Sequence, residues 1–329
     1  MQDNIENNTS NSLVPLGSKG LVRLENSIAI TDKILNESKL RPEYLINWWN
    51  DLDEIWRTIL CANFFGGNNA YKYDINQDFS VEQLKEILKI SKLEYSLSPE
   101  DHDFVKTEDF ISDISPINQL TELTHLNLNG SLRCQFKINK SFPKTLRIEL
   151  DFNNICDLSF LRFYPNVKHL DLWANSIDNI EYISNLTELE FLNIGGNSIT
   201  DLSPLATLKK LKELNVSCNN INNIEPISKI ITLTHLNLHK NQIVDLSPLE
   251  NLINLKELDI DDNKFTSIAP VSSLKELNTI WSRSNIQVSD YLSLNRNEKL
   301  KHLNIKWSHV DNTIIKELRK QLPNCEIYI

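Results

Sequence analysis

The chain contains LKELNVSCNNINNIEPISKIIT at residues 211–232 and LTHLNLHKNQIVDLSPLENLIN at residues 233–254, two consecutive segments of 22 residues with one shared pattern. Both have apolar residues at the first, fourth, sixth and eleventh positions and an asparagine at the ninth. A fixed period of this length is typical of a solenoid, in which each unit buries its apolar side chains against its neighbours. The two segments therefore predict a stacked repeat fold.

The same period extends on both sides of this stretch. A second mark, Asp-Leu-Ser-Pro-Leu or a close variant, recurs in register, as at Asp201–Leu205 and Asp245–Leu249. There we expect the Asp or Ser to cap a short helical turn that has the proline at an early position. The ninth-position asparagines, which we call the ladder asparagines, are expected to satisfy backbone groups at the bend after each strand. They are Asn153, Asn175, Asn197, Asn219, Asn241, Asn263 and Asn285.

On these motifs the sequence resembles the leucine-rich repeats of the internalin and phosphatase-1-regulator type, over roughly Ile90 to Ile329. The resemblance implies an α/β fold, a leucine-rich repeat solenoid with parallel strands on its concave face and short helical, 3₁₀ or extended convex segments. Residues 40–90 resemble the α-helical N-terminal cap of some bacterial cytoplasmic proteins with such repeats. For function the resemblance says little, because these repeats carry many unrelated binding activities.

The pattern divides the chain into four expected segments. In the second segment, Pro42 to Phe65 is predicted to be one helix, and Ser80 with Gln83 forms a capping box that opens another helix, Val81 to Ile90. The four are a partly disordered N-terminal tail (1–39), a helical cap (40–90), the repeats (90–311) and a helix-strand cap (312–329).

Composition narrows the function classes. The 329 residues carry 34 Lys+Arg against 44 Asp+Glu, and this net charge of −10 argues against a nucleic-acid partner. No apolar run reaches the roughly 18 residues of a membrane span, and the polar N-terminus does not have the pattern of a signal peptide, so we expect a cytoplasmic protein. Five cysteines, without a Cys-x-x-Cys pair, indicate neither a disulfide framework nor a zinc site.

Side chains alternate along a strand, so the residues that flank the buried leucines should line the concave face. They form three columns: before the second consensus apolar residue, between the second and third (the middle column), and after the third. The repeat favours Asn and Asp in the middle column, whereas the outer columns hold His, Trp, Phe and Arg, which are typical of interfaces. The predicted partner-binding residues are His125, Arg147, His169, Asp171, Trp173, Phe191, Glu213, His235, His239, Glu257, Asp259, Asp261, Trp281, Arg283 and Lys306.

Neither catalysis nor metal binding is indicated by the sequence. His235 and His239 lie four residues apart on one strand, about 13 Å, which is too far to share one metal ion. Cys218 has no identified base, and seven glycines include no phosphate-binding loop. We therefore predict no enzyme, no metal and no cofactor.

The favoured interpretation is a monomeric protein-interaction module, a scaffold, adaptor or regulatory subunit, that binds a protein partner on its concave face. Charge is segregated along that face, with acidic residues 257–262 followed by Arg283 and Lys306, and mixed signs favour a protein over a phosphate backbone. Two alternatives stay open: a toxin-neutralising or host-directed effector protein, and a purely structural repeat protein whose face would tolerate mutation.

Overall fold

The computed structural model describes residues 41–65, 78–97, 110–133, 136 and 138–329, so the expected tail lies outside the described residues. Its helices are α1 (Pro42–Asp51), α2 (Glu54–Phe65), α3 (Val81–Ile87) and α4 (Asn312–Gln321). Its strands are β1 (Lys92–Glu94), β2 (His125–Asn127), β3 (Arg147–Glu149), β4 (His169–Asp171), β5 (Phe191–Asn193), β6 (Glu213–Asn215), β7 (His235–Asn237), β8 (Glu257–Asp259), β9 (Thr279–Trp281), β10 (His302–Asn304) and β11 (Glu326–Tyr328).

The eleven strands form one parallel sheet in which the strand order equals the sequence order. The register aligns the same consensus position in every repeat, so that Leu170, Leu192 and Leu214 are direct neighbours. In most repeats the chain returns through a 3₁₀ turn, as at Ser203–Thr207 and Ser247–Asn251. The predicted α/β class and leucine-rich repeat solenoid are confirmed.

Consensus apolar residues form a continuous core between the strands and the 3₁₀ turns. In the unit that starts at Leu211, the side chains of Leu211, Leu214, Val216 and Ile221 are at most 2% exposed, and Ile227 of the following turn is fully buried. A single unit has no second layer against which to bury these groups, so its stability depends on the neighbouring units.

The ladder asparagines bond the backbone of their own repeat and of the preceding repeat. In Asn197, Nδ2 donates to the carbonyl oxygens of Leu172 (3.1 Å), Ile194 (3.1 Å) and Gly195 (3.0 Å). Its Oδ1 accepts from the N–H of Ile177 at 3.0 Å. A similar arrangement recurs at the other six; at Asn285 a serine hydroxyl replaces one carbonyl, and Oδ1 accepts from the N–H of Asn263. Each side chain thus ties two successive repeats together.

In the Asp-Leu-Ser-Pro-Leu segments it is the aspartate that caps the 3₁₀ turn. Oδ1 of Asp201 accepts from the N–H of Ser203 at 2.8 Å, and its Oδ2 accepts from the hydroxyl of Ser203 at 2.7 Å. Asp245 and Ser247 repeat this pair of bonds. Because these donors stabilise the charged carboxylate, the pKa values of Asp201 and Asp245 lie below the ordinary value.

The prediction of one helix over Pro42–Phe65 is wrong, because α1 ends at Asp51 and α2 begins at Glu54. Oδ1 of Asp53 accepts from the N–H of Trp56 at 2.9 Å, so an internal aspartate starts a new helix. The predicted capping box is present: Ser80 N–H donates to Oε1 of Gln83 at 2.9 Å, and Gln83 N–H to Oγ of Ser80 at 3.3 Å. The helix that it opens ends at Ile87, three residues before the predicted end.

The described chain divides into two compact units, one with α1 and residues 79–85 and the other with α2 and all eleven strands. Within the larger unit, α2 closes the first edge of the sheet. The amide of Asn63 accepts from the N–H of Glu94 at 3.0 Å and donates to its carbonyl at 3.1 Å. One side chain thereby replaces a neighbouring strand at this edge. At the other end β11 pairs with β10, within the predicted C-terminal cap.

Asn219 is a suitable position for testing how much the ladder asparagines stabilise the fold, because its side chain is 8% exposed and makes four hydrogen bonds to the backbone. We expect Asn219→Ala to lower the free energy of unfolding by about 3 kcal/mol or more, because buried backbone groups lose their partners. Urea unfolding followed by circular dichroism measures this. The matched control is Asn220→Ala, an exposed position, which should change stability by less than about 0.5 kcal/mol. Equal losses in both variants would contradict the ladder's role.

Candidate protein-binding face

The three columns of predicted partner-binding residues lie on one side of strands β2 to β10, which we call the strand face. Glu213 and Lys306 are exposed there, and Asp261 is buried, with 1% exposure. The remaining predicted residues are half-buried: His125, Arg147, His169, Asp171, Trp173, Phe191, His235, His239, Glu257, Asp259, Trp281 and Arg283. The strand face therefore presents large side chains that are held at their bases and open at their ends.

The middle column has a structural task. Oδ1 of Asn215 accepts from the N–H of Ser217 at 2.9 Å, and Oδ1 of Asp259 accepts from the N–H of Asp261 at 3.0 Å. The same bond to the residue two positions on is made by Asn127, Asp171, Asn193, Asn237 and Asn304. An amide and a carboxylate both act as acceptors here. The repeat therefore needs a short side chain with an acceptor oxygen at this position, and that side chain need not be charged.

Glu149 and Trp281 depart from this column, and the preceding repeat compensates for each. Where Trp281 supplies no acceptor, the N–H of Arg283 donates to Oδ1 of Asp261 at 2.5 Å. Nε of Arg283 donates to the second oxygen of Asp261 at 2.5 Å. Both carboxylate oxygens of this buried residue are therefore engaged within the protein, and we leave Asp261 out of the proposed contact surface.

In the N-terminal half of the strand face, an arginine–glutamate pair lies beside two stacked rings. The Arg147 guanidinium pairs with Glu149, with Nε to Oε1 at 3.0 Å. The rings of His169 and Phe191 stack at 4.0 Å between centroids and 6° between planes. Burial and, next, the charge of Arg147 lower the pKa of His169 to about 4, so the imidazole is neutral at pH 7. This region is a packed aromatic and ion-pair cluster.

Trp173 lies flat against the backbone of the next repeat. A Cβ atom added to Gly195 would stand 2.2 Å from Cζ3 and 2.5 Å from Cε3 of the Trp173 indole. The indole can occupy this place only because residue 195 has no side chain. The sequence pattern marked Trp173 as a face residue but contained no sign that Gly195 holds it.

A depression of about 290 Å³ crosses the strand face from β5 to β9. Its volume lies at the lower limit of the roughly 300–1,000 Å³ of small-molecule pockets, which suits one or two side chains of a partner. The lining also includes Asn215 and Asn237, which the pattern identified only as consensus residues. Its lining includes six of the predicted partner-binding residues: Phe191, Glu213, His235, Glu257, Asp259 and Trp281.

The depression is acidic. The imidazole of His235 lies beside the Glu257 carboxylate, with Nε2 at 3.8 Å from Oε1. The hydroxyl of Thr234 lies 2.9 Å from Nδ1 of His235 and 3.1 Å from the carbonyl oxygen of Lys212, so it holds the imidazole in place. Burial, above all, raises the pKa of Asp259 to about 6.

One group in the described residues brings three metal-ligating side chains together: His239, Asp259 and Asp261, whose ligand atoms lie within 4.8 Å of one another. His235 does not belong to it. Asp261 already has the Arg283 guanidinium as its counter-ion, so a metal ion would have to compete with that guanidinium for the carboxylate. Both aspartates of the group already accept backbone hydrogen bonds, Asp259 from the N–H of Asp261 and Asp261 from the N–H of Arg283.

Comparison with known proteins places the chain among leucine-rich repeat structures. The family described as leucine-rich repeats (two copies) matches residues 165–206, 187–229 and 231–276. Among curated protein sequences, none is significantly similar to this chain.

Among solved structures, an internalin (inlF) from Listeria monocytogenes is similar, with 23% identity, 84% of this chain and 88% of that chain covered, and a TM-score of 0.62. A second internalin (inlC2) from the same organism has 24% identity, covers 79% and 92%, and has a TM-score of 0.52. The solenoid is thus of the internalin type, and this likeness concerns the fold. None of the described helices has the length and apolar character needed to span a bilayer.

The raised pKa of Asp259 predicts a pH-dependent stability. Its folded value of about 6 exceeds the ordinary 3.8, so its protonation stabilises the folded state below pH 4, and this contribution is lost as pH rises to 6. Asp259→Asn keeps the acceptor for Asp261 and removes the charge. We expect the variant to unfold like the parent at pH 4 and to be more stable by about 3 kcal/mol at pH 7.5. Denaturant titrations at both pH values measure this.

Asp178→Asn removes one charge from an exposed position and serves as the control. Its effect should stay within about 0.5 kcal/mol at both pH values. A loss of stability in Asp259→Asn at pH 7.5 would show that the Asp259 carboxylate is stabilising and would contradict the prediction.

Gly195→Ala should expel the Trp173 indole from its place on the strand face. The collision involves the end of a movable side chain, so we expect the cost in stability to be small, about 1 kcal/mol. In the NMR spectrum of the ¹⁵N-labelled protein, one of the six indole N–H signals should shift strongly. Thr200→Ala, an exposed position of the same repeat, should leave the indole signal of Trp173 in place, and an unchanged Trp173 signal in Gly195→Ala would refute the contact.

Proposed function

We propose that this chain is a protein-binding module and that its strand face, from β2 to β10, contacts a protein partner. Solenoids of the internalin type are a general protein-interaction fold. The observation that carries the proposal is the depression between Phe191 and Trp281, in which aromatic side chains and acidic groups stand half-exposed on a rigid sheet. Aromatic anchors on a rigid support are typical of the energetic centre of an interface.

The fold itself does not require these side chains. Trp281 occupies a middle-column position that in seven other repeats holds Asn or Asp, and its presence makes a compensating bond from Asp261 necessary. Phe191 occupies the first column, which faces away from the core. Side chains that the repeat pattern does not require and that stay partly exposed support a binding role.

A capture experiment tests the proposal. The immobilised chain is exposed to a lysate of the organism that encodes it, and the retained proteins are identified by mass spectrometry. We expect Phe191→Ala with Trp281→Ala to lower the retained amount of a specific partner at least tenfold, because each truncation removes a buried anchor. Circular dichroism verifies that the variant is folded.

The matched control is Ile253→Ala with Ile286→Ala, which removes two side chains that are 60% and 63% exposed and lie outside the strand face. This variant should retain the partner at the parent level. Equal retention by all three proteins would support a purely structural repeat protein. Loss only in the control would place the binding surface elsewhere.

A further inference from the structure

We propose that the C-terminal half of the depression binds the guanidinium group of an arginine side chain of the partner, stacked on Trp281 and hydrogen-bonded to Glu257 and Asp259. This inference rests on the proposed function, since it names the chemistry that the strand face recognises. The occupant is a protein segment that presents an arginine.

Glu257 and Asp259 have no lysine or arginine counter-ion among the described residues, unlike several other acids of the repeats. Lys210 lies 2.6 Å from Glu188, Lys212 lies 2.6 Å from Glu190, and Lys299 lies 2.6 Å from Glu276. In the described part of the chain, no lysine or arginine nitrogen lies within 4.0 Å of Glu257 or Asp259. The carboxylates of Glu257 and Asp259 therefore lack a lysine or arginine partner inside the depression. This arrangement favours binding of a cationic group there.

Nearby cations of the protein cannot fill this place. The Arg283 guanidinium is held by Asp261, and His235 approaches Glu257 only to 3.8 Å. Within the described residues, cations stand over the rings of Phe110 and Phe163 but not over Trp281. The indole of Trp281 thus remains open on the side of the depression.

The spacing of the three groups suits a planar, forked donor. Asp259 and Trp281 are direct partners in the register of β8 and β9, about 4.8 Å apart in the backbone. Glu257 and Asp259 are two residues apart on β8 and point to the same side, about 7 Å apart. A guanidinium has five N–H donors in one plane and stacks on aromatic rings, so it can bond carboxylates at its edge while its face covers the indole. A lysine ammonium has no such plane.

The first test compares three peptides on the ¹⁵N-labelled full chain by NMR at pH 7.5. They are acetyl-Gly-Arg-Gly-amide, the same peptide with citrulline, which keeps the shape without the charge, and the same peptide with lysine. We expect the arginine peptide to shift amide signals of β8 and β9 and to bind at least about tenfold more tightly than the other two. Binding of the lysine or citrulline peptide as tightly as the arginine peptide would overturn the proposal.

The second test uses variants that keep side-chain shape. Glu257→Gln and Asp259→Asn should each weaken binding of the arginine peptide about tenfold, because each removes a charged acceptor. Glu250→Gln and Glu298→Gln, both exposed and outside the strand face, should bind it like the parent. Unchanged affinity in the first pair, or an equal loss in the control pair, would overturn the proposal.

The two proposals fail separately. Partner capture that depends on Phe191 and Trp281, without binding of the arginine peptide at β8 and β9, would overturn the arginine site and keep the protein-binding function. Arginine-peptide binding without any partner that depends on the strand face would overturn the proposed function.

Discussion

The structure depends on satisfying the backbone at the bend that follows each strand. At this bend the chain leaves the sheet, and its N–H and C=O groups are buried without a strand partner. The ladder asparagines supply both a donor and an acceptor from a side chain that reaches two repeats. At the two ends, Ser131 and Ser308 take the same position: Ser131 donates to the carbonyl of Leu128, and Ser308 donates to the carbonyl of Ser282 and accepts from the N–H of Asn285. A hydroxyl has one proton to donate, so each serine bonds fewer carbonyls than a ladder asparagine does.

The same requirement explains how the repeats tolerate change. When one position loses its acceptor, a side chain of an adjacent repeat provides one: Asp261 serves the N–H of Arg283, and Asn129 serves the N–H of Asp151. At the 3₁₀ turn after β8, Ser267 takes the place of the aspartate, and the N–H of Ala269, which corresponds to that of Ser203, donates at 3.3 Å both to Oγ of Ser267 and to Oδ2 of Asp290 in the next repeat. Stacking therefore allows a change in one repeat to be corrected by the next, as the nearest-neighbour energetics of solenoids require.

The periodic part of the structure could be predicted because one sequence pattern repeats and each repeat independently supports the same fold. Features that depend on one local geometry could not be predicted from the sequence. Asp53 divides the expected helix through one cap bond to the N–H of Trp56. The apolar pattern of the segment continues across this point and so gives no indication of the break. The residue before each ladder asparagine has a positive φ, as at Ala174 (52°) and Lys240 (52°), although glycine is the residue expected there. On the strand face, the columns were predictable from alternation, but the burial of Asp261 follows from a side-chain contact between repeats.

The charge at position 259 bears on whether the depression was selected or arose by drift. The fold needs an acceptor at this place, and Asn193, Asn215 and Asn237 meet that need without charge. A half-buried carboxylate with a raised pKa is the less stable solution, and it stands directly beside Trp281, the aromatic departure in the same column. Asp171 is a second half-buried carboxylate of this column with a raised pKa, and it lies outside the depression, so a raised pKa alone does not mark a site. Asp259 is distinguished by adjoining Trp281 and lining one depression with it, and groups that cost stability persist where function uses them.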